Sequence, residues 1–112
     1  MRIAMAQINS TVGDLKGNAE KIIEYIEEAK KHKADLVVLP ELAITGYPPQ
    51  DLLHEEAFVE KNKEVLSKII KSATSIIGVV GFVDYDNDGN LYNAAGIFEG
   101  KKLVGIVHKT LL

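Results

Sequence analysis

The feature that most restricts the fold is a short, uninterrupted aliphatic run, Leu36-Val37-Val38-Leu39, which Pro40 follows at once. Four consecutive aliphatic residues are typical of a strand that is covered on both faces. Proline carries no backbone N–H for a sheet ladder, so the strand should end there. The run therefore predicts a buried strand of an α/β protein.

Amphipathic segments on either side of this run predict two helices. After a strand over residues 2–8 and a loop of turn formers, Asn18 is a candidate N-cap, and Lys30 to Lys33 complement the C-terminal end of the first helix. The second helix is predicted from Glu56 to about Ser72. The apolar faces consist of Ala19, Ile22, Ile23, Ile26 and Ala29 in the first helix and of Phe58, Val65, Leu66, Ile69 and Ala73 in the second.

The last third of the chain predicts three strands, at residues 76–83, 91–98 and 102–107. The pair Asp88-Gly89 is typical of a hairpin turn, and Glu99-Gly100-Lys101 of a second tight reversal, so these strands should be antiparallel. The element order is therefore βαβαβββ, which predicts a sheet with helices over one face.

Composition excludes several classes of partner. The formal net charge is −3, and the 13 basic residues are spread along the chain, which argues against nucleic acid. No apolar run approaches the length of a membrane span, and the chain has no cysteine, so we expect a cytoplasmic protein without disulfides. The three histidines lack metal-ligand spacing, so no metal site is predicted.

Two charged residues follow predicted strands and are candidates for one site. Glu41 lies just past the buried strand, where the crevice of an open α/β sheet usually holds its ligand, and apolar neighbours would raise the pKa of its carboxyl. Lys109 follows the last apolar strand and would stabilise negative charge on a carbonyl oxygen. Taken singly, each residue has a simpler interpretation: Glu41 as a turn cap or the partner of a surface lysine, and Lys109 as a solvated strand end.

The loop between the second strand and the second helix carries a third candidate. Pro48 and Pro49 stiffen the backbone directly after Tyr47, whose ring and hydroxyl suit a small polar substrate. The alternative is that the Tyr47 ring closes the top of the core.

Four segments of the sequence together resemble the nitrilase, or carbon-nitrogen hydrolase, superfamily. Within it, the chain is most similar to the glutaminase domain of the glutamine-dependent NAD synthetases, because the run Gly46-Tyr47-Pro48-Pro49-Gln50-Asp51-Leu52-Leu53 is typical of them. The other three segments are residues 2–18, residues 35–42, and the final residues 108–112.

The resemblance implies part of a four-layer α-β-β-α sandwich and a glutamate, a lysine and a cysteine that act together. The first two correspond to Glu41, as general base and then acid, and Lys109, as oxyanion stabiliser; Tyr47 corresponds to a tyrosine of the glutamine pocket. The cysteine would lie beyond Leu112, so residues 1–112 are predicted to be an N-terminal portion that is inactive alone. The resemblance also implies a homo-oligomer, and a separate synthetase domain that uses ATP and magnesium to amidate nicotinic acid adenine dinucleotide.

Two other hypotheses remain open on the sequence. In the first, the chain is a simple amidase or nitrilase of another branch of the superfamily, since Glu41 and Lys109 serve all branches. In the second, it is a binding module that keeps the pocket and has lost catalysis. The loop containing Pro48 and Pro49 argues against the first, and the missing nucleophile motivates the second.

Overall fold

The computed structural model describes all of residues 1–112 and contains two helices and one five-stranded sheet. The order βαβαβββ is confirmed, with one short 3₁₀ helix, Gln50–His54, added in the loop before the second helix. The elements are β1 (Ile3–Met5), α1 (Leu15–Lys31), β2 (Leu36–Val38), α2 (Glu56–Ser72), β3 (Ile77–Tyr85), β4 (Leu91–Glu99) and β5 (Lys102–Leu111).

The strands lie in the sheet in the order in which they occur along the chain. β1, β2 and β3 are parallel neighbours, whereas β3, β4 and β5 form an antiparallel meander, as the two turn sequences predicted. β1 and β5 are consequently the two edges. No helix combines the length and the apolar character that crossing a bilayer requires.

Both helices cover the same face of the sheet. The main core joins Ile22 and Ile26 of α1 and Leu66 and Ile69 of α2 to the strands, where Phe82 of β3 is one of the largest fully buried side chains. The β3 and β4 residues that enter this core are two or four positions apart, as the strand period of two requires. The core is therefore a two-layer core between helices and sheet.

The opposite face of the sheet is open, which corrects one prediction. Val37 of β2 is fully buried against the helices, but Leu36 and Val38, which point the other way, are partly exposed, and Met5 in the neighbouring strand is 73% exposed. Strand β2 is thus covered on one face and not on both, because residues 1–112 supply a single helical layer.

The start of α1 also differs from the prediction. Asp14 is the N-cap, and its carboxylate accepts a hydrogen bond from Gly17 N; Asn18 lies one turn inside the helix and is fully buried. The Asn18 amide bonds both backbone groups of Thr11 and donates to the carbonyl of Ile44. Asn18 therefore ties α1 to the loop after β2, a long-range role that the local pattern did not show.

Helix α2 is held to the sheet by a second buried asparagine. The predicted bounds of this helix are confirmed, and Asn62 lies on its buried side. Its side chain bonds the N–H and the carbonyl of Val83 and also the carbonyl of Val59. Because every polar group of this contact is satisfied, α2 packs on β3 in a defined register.

Candidate active site

Glu41 projects from a tight turn that packs against β3. Leu42, directly after it, has a positive φ of 48°, and its side chain is buried beside Val59 and Val83. The turn lies so close to Gly81 that a Cβ there would be 2.3 Å from Leu42 N and 2.8 Å from the carbonyl carbon of Glu41. A residue without a side chain is therefore required at this point of β3 for the turn to reach its place.

Lys109 meets Glu41 across the sheet. Its ammonium donates a hydrogen bond to Glu41 Oε1, although the two residues are 68 positions apart in the sequence. The sequence prediction that these two groups converge is therefore met by the geometry. The side chains are 66% and 40% exposed, and an ion pair with this exposure stabilises a fold by only about 0–1 kcal/mol. Stability alone is a weak explanation for their meeting.

A third polar residue, which the sequence analysis missed, completes the cluster. Asn93 of β4 donates from its side-chain amide to Glu41 Oε1 at 2.6 Å. Both donors thus bind the same oxygen, and no protein group hydrogen-bonds Oε2. An asparagine in the interior of a predicted strand is uncommon, and that departure from strand propensity was the available signal.

The electrostatics of Glu41 contradict the expectation of a raised pKa. The hydrogen bond from Lys109, followed by that from Asn93, holds the pKa of the Glu41 carboxyl below its ordinary value of 4.5. Burial acts in the opposite direction but is weaker, because the open face leaves the carboxyl partly hydrated. Glu41 is therefore ionised at neutral pH and able to accept a proton through Oε2.

These side chains line a cavity of about 290 Å³ on the open face of the sheet. Its walls combine apolar side chains with the charged cluster, as sites for small molecules commonly do. The lining residues include Leu39, Val79 and Val107 on the apolar side and Glu41, Asn93 and Lys109 on the polar side.

Tyr47 is not brought into this cavity. It follows Gly46 in the loop before the 3₁₀ helix, its side chain is 67% exposed, and it is not among the residues that line the cavity. The alternative prediction, that its ring closes the core, fails for the same reason. In residues 1–112 the Tyr47 ring faces solvent.

Comparison with known proteins identifies the family in which this cluster of Glu41, Asn93 and Lys109 occurs. The family model for carbon-nitrogen hydrolases matches residues 2–112, which is nearly the whole chain. The chain belongs to the carbon-nitrogen hydrolase family. This agrees with the resemblance seen in the sequence, and it means that the Glu41 cluster lies in a fold used by enzymes that cleave carbon–nitrogen bonds.

Curated relatives of this carbon-nitrogen hydrolase chain are glutamine-dependent NAD(+) synthetases. The protein of Thermotoga maritima is 38% identical over an alignment that covers 100% of the chain and 19% of the relative. The protein of Xanthomonas campestris is 42% identical, with 90% of the chain and 18% of the relative covered. The chain therefore spans about a fifth of the length of these relatives.

Solved structures agree with the fold. A glutamine-dependent NAD(+) synthetase from Cytophaga hutchinsonii superposes with a TM-score of 0.94 at 33% identity, over 100% of this chain and 19% of that one. An amidase from Nesterenkonia sp. superposes with a TM-score of 0.83 over 97% of this chain and 42% of its own, but at 22% identity it supports the fold alone.

Proposed function

We propose that residues 1–112 are the N-terminal part of a glutaminase domain that hydrolyses the side-chain amide of glutamine. The observation that carries the proposal is the convergence of Glu41 and Lys109 at one cavity, in a chain whose relatives are named glutamine-dependent NAD(+) synthetases. The nucleophile would be a cysteine outside these residues, because the chain contains none.

Glu41 and Lys109 would have complementary roles in the reaction. The free Oε2 of Glu41 takes the thiol proton, the thiolate sulfur bonds to the amide carbon, and the ammonium of Lys109 stabilises the resulting oxyanion. The protonated Glu41 then gives its proton to the departing nitrogen, which leaves as ammonia. Water cleaves the thioester with Glu41 again as base, which yields glutamate and restores the thiol.

Asn93 would orient Glu41 during both proton transfers. Because its amide and Lys109 occupy Oε1, the basic lone pairs of Oε2 are directed into the cavity. Covering the open face with a second sheet, as in a four-layer sandwich, would remove water from Glu41 and raise its pKa toward the range in which a carboxyl both accepts and donates protons.

The ammonia would supply a synthetase domain, also outside residues 1–112, that amidates nicotinic acid adenine dinucleotide with ATP and magnesium. In this proposal the whole protein is a cytoplasmic, oligomeric ligase, and Tyr47 reaches the glutamine pocket only when further layers are in place. The names of the relatives and the motif around Tyr47 support this assignment.

A chimaera tests the proposal. Residues 1–112 replace the matching segment of the Thermotoga maritima relative, and NAD synthesis is measured with glutamine or with ammonium chloride as the nitrogen source. We expect both activities in the chimaera. Glu41→Gln should reduce the glutamine-driven rate about 10²- to 10⁴-fold, the usual contribution of a general base, and leave the ammonia-driven rate unchanged.

Glu20→Gln is the matched control, because Glu20 is an exposed glutamate of α1 without a side-chain partner. It should leave both rates unchanged. The proposal is wrong if the chimaera makes NAD from ammonia but not from glutamine, or if Glu41→Gln retains the full glutamine-driven rate.

A further inference from the structure

The strand that carries Lys109 has little to hold it in place. β5 is an edge strand that pairs only with β4, and nine of its ten residues are exposed. Lys109 is the third residue from its C-terminal end. An edge strand of this kind frays readily, so the position of the Lys109 ammonium requires some further restraint.

The backbone at Lys109 is irregular. Asn93 of β4 pairs with Thr110 and the next residue, Ala94, pairs with His108, so Lys109 is an extra residue without a partner in the ladder. A bulge of this type redirects side chains, and such bulges are common beside active sites. Here His108 pairs with Ala94 and so lies on the helix-covered face, while the side chain of the unpaired Lys109 extends to Glu41.

His108 is fixed on that other face by contacts with β3 and β4. Its Nε2 lies 2.7 Å from Asp84 Oδ2, and its ring stacks on Tyr92 with centroids 4.0 Å apart and planes inclined by 9°. The hydroxyl of Tyr92 in turn donates to Asp86 Oδ2 at 2.9 Å. Asp84 is only 6% exposed, and Lys63 of α2 approaches its Oδ1 at 2.9 Å.

The protonation of this contact follows from its charges. Burial disfavours the ionised form of Asp84, but hydrogen bonds from His108 and Lys63 outweigh it and hold the pKa of Asp84 below its ordinary value. An ionised carboxylate only accepts hydrogen bonds, so Nε2 of His108 carries the hydrogen. The His108 side chain is 39% exposed, so its bond to Asp84 is a small source of stability, and its effect on the adjacent residue is the better explanation.

We propose that His108 is a positioning residue: its hydrogen bond to Asp84 fixes the bulge in β5 and thereby holds the ammonium of Lys109 against Glu41. The purpose that this inference assigns to the His108–Asp84 contact rests on the glutaminase function proposed above. Its geometry can be tested without any catalysis, because the Glu41 carboxyl reports directly on the proximity of Lys109.

The experiment measures the titration of the Glu41 carboxyl carbon by NMR in the 112-residue chain and its variants. His108→Phe keeps a ring that stacks on Tyr92 and loses the bond to Asp84; His108→Gln keeps an amide donor at the distance of Nε2. We expect His108→Phe to shift the Glu41 midpoint upward toward 4.5 and His108→Gln to leave it at the wild-type position. His32→Phe, at the exposed C-terminal end of α1, is the matched control and should change nothing.

Three results overturn the inference. The Glu41 midpoint does not move in His108→Phe, or it moves equally in His108→Gln, or His108→Phe abolishes amide protection along the whole of β5, which would make His108 a residue of general strand stability. None of these results depends on glutamine hydrolysis. A chimaera that fails to use glutamine while the titrations behave as expected would refute the proposed function and leave the positioning role intact.

Discussion

The contact between Gly81 and the turn of Glu41 allows a quantitative prediction for Gly81→Ala. The added Cβ would lie 2.3 Å from Leu42 N and 2.4 Å from the carbonyl oxygen of Pro40, both of them backbone atoms that no rotamer change can move. Ordinary contact begins at 3.4 Å, so the turn must retreat from β3 by about 1.1 Å.

The retreat should weaken the cluster and the fold together. If the whole shift is taken up along the Asn93–Glu41 bond, its 2.6 Å length becomes about 3.7 Å, which is beyond hydrogen-bonding distance. Overpacking of a tight contact costs about 1–3 kcal/mol. We therefore expect Gly81→Ala to lower the free energy of unfolding by about 2 kcal/mol in urea denaturation and to raise the pKa of Glu41 in an NMR titration.

Gly105→Ala is the matched control, because its new Cβ would meet only the Cδ1 of Ile97 at 3.8 Å, an ordinary contact. It should change the free energy of unfolding by less than about 1 kcal/mol. If Gly81→Ala is as stable as Gly105→Ala and its Glu41 titration is unchanged, the turn does not depend on the glycine and the reasoning is refuted. In the chimaera, a displacement of about 1 Å at Glu41 should cost on the order of 10²-fold in glutamine-driven activity.

Three further predictions follow from the pKa directions. Lys109→Met should raise the pKa of Glu41 more than Asn93→Ala does, because Lys109 is the larger cause of its depression; NMR titration measures both. Since the pKa of Glu41 is lower in the folded state, its charge stabilises the fold above pH 4.5, and this stability is lost as the pH falls through the folded-state pKa. In urea denaturation, Lys109→Met should therefore lose less free energy of unfolding than the unsubstituted chain over this pH range. Asp86→Ala should lower the pKa of Tyr92 toward 10.0, because the hydrogen bond to Asp86 is the main cause of its elevation. The pH dependence of the tyrosinate absorbance, taken as a difference from Tyr92→Phe, measures this pKa, and an unchanged titration curve contradicts the prediction.

Local sequence patterns predicted well those helices and turns whose formation depends on residues close together in the chain. The bounds of α2 and the two antiparallel turns were predicted correctly, because helical periodicity and turn chemistry act over a few residues. The N-cap of α1 was placed wrongly at Asn18. Asparagine is a good cap in isolation, but here its amide bonds Thr11 and the distant Ile44, a pairing that no local pattern encodes.

The residues of the candidate site were likewise predicted only in part. Glu41 and Lys109 were identified from strand ends and from the family motif, whereas Asn93 was missed because it became a partner of Glu41 only through the pairing of β3 with β4. Tyr47 was expected in the pocket and lies in solvent instead. The pKa of Glu41 was expected to rise and is lowered, because the direction depends on which charge lies nearby.

The sequence by itself determined the element order, the antiparallel meander and the family, since each is written in residues that are close together in the chain. Only the tertiary structure decided that β5 carries a bulge at Lys109, that Gly81 admits the turn of Glu41, and that two donors from separate strands bind one carboxylate oxygen of Glu41. The physical reason is that distances between strand ends are set by sheet register and close packing, which are properties of the assembled fold and not of any single segment.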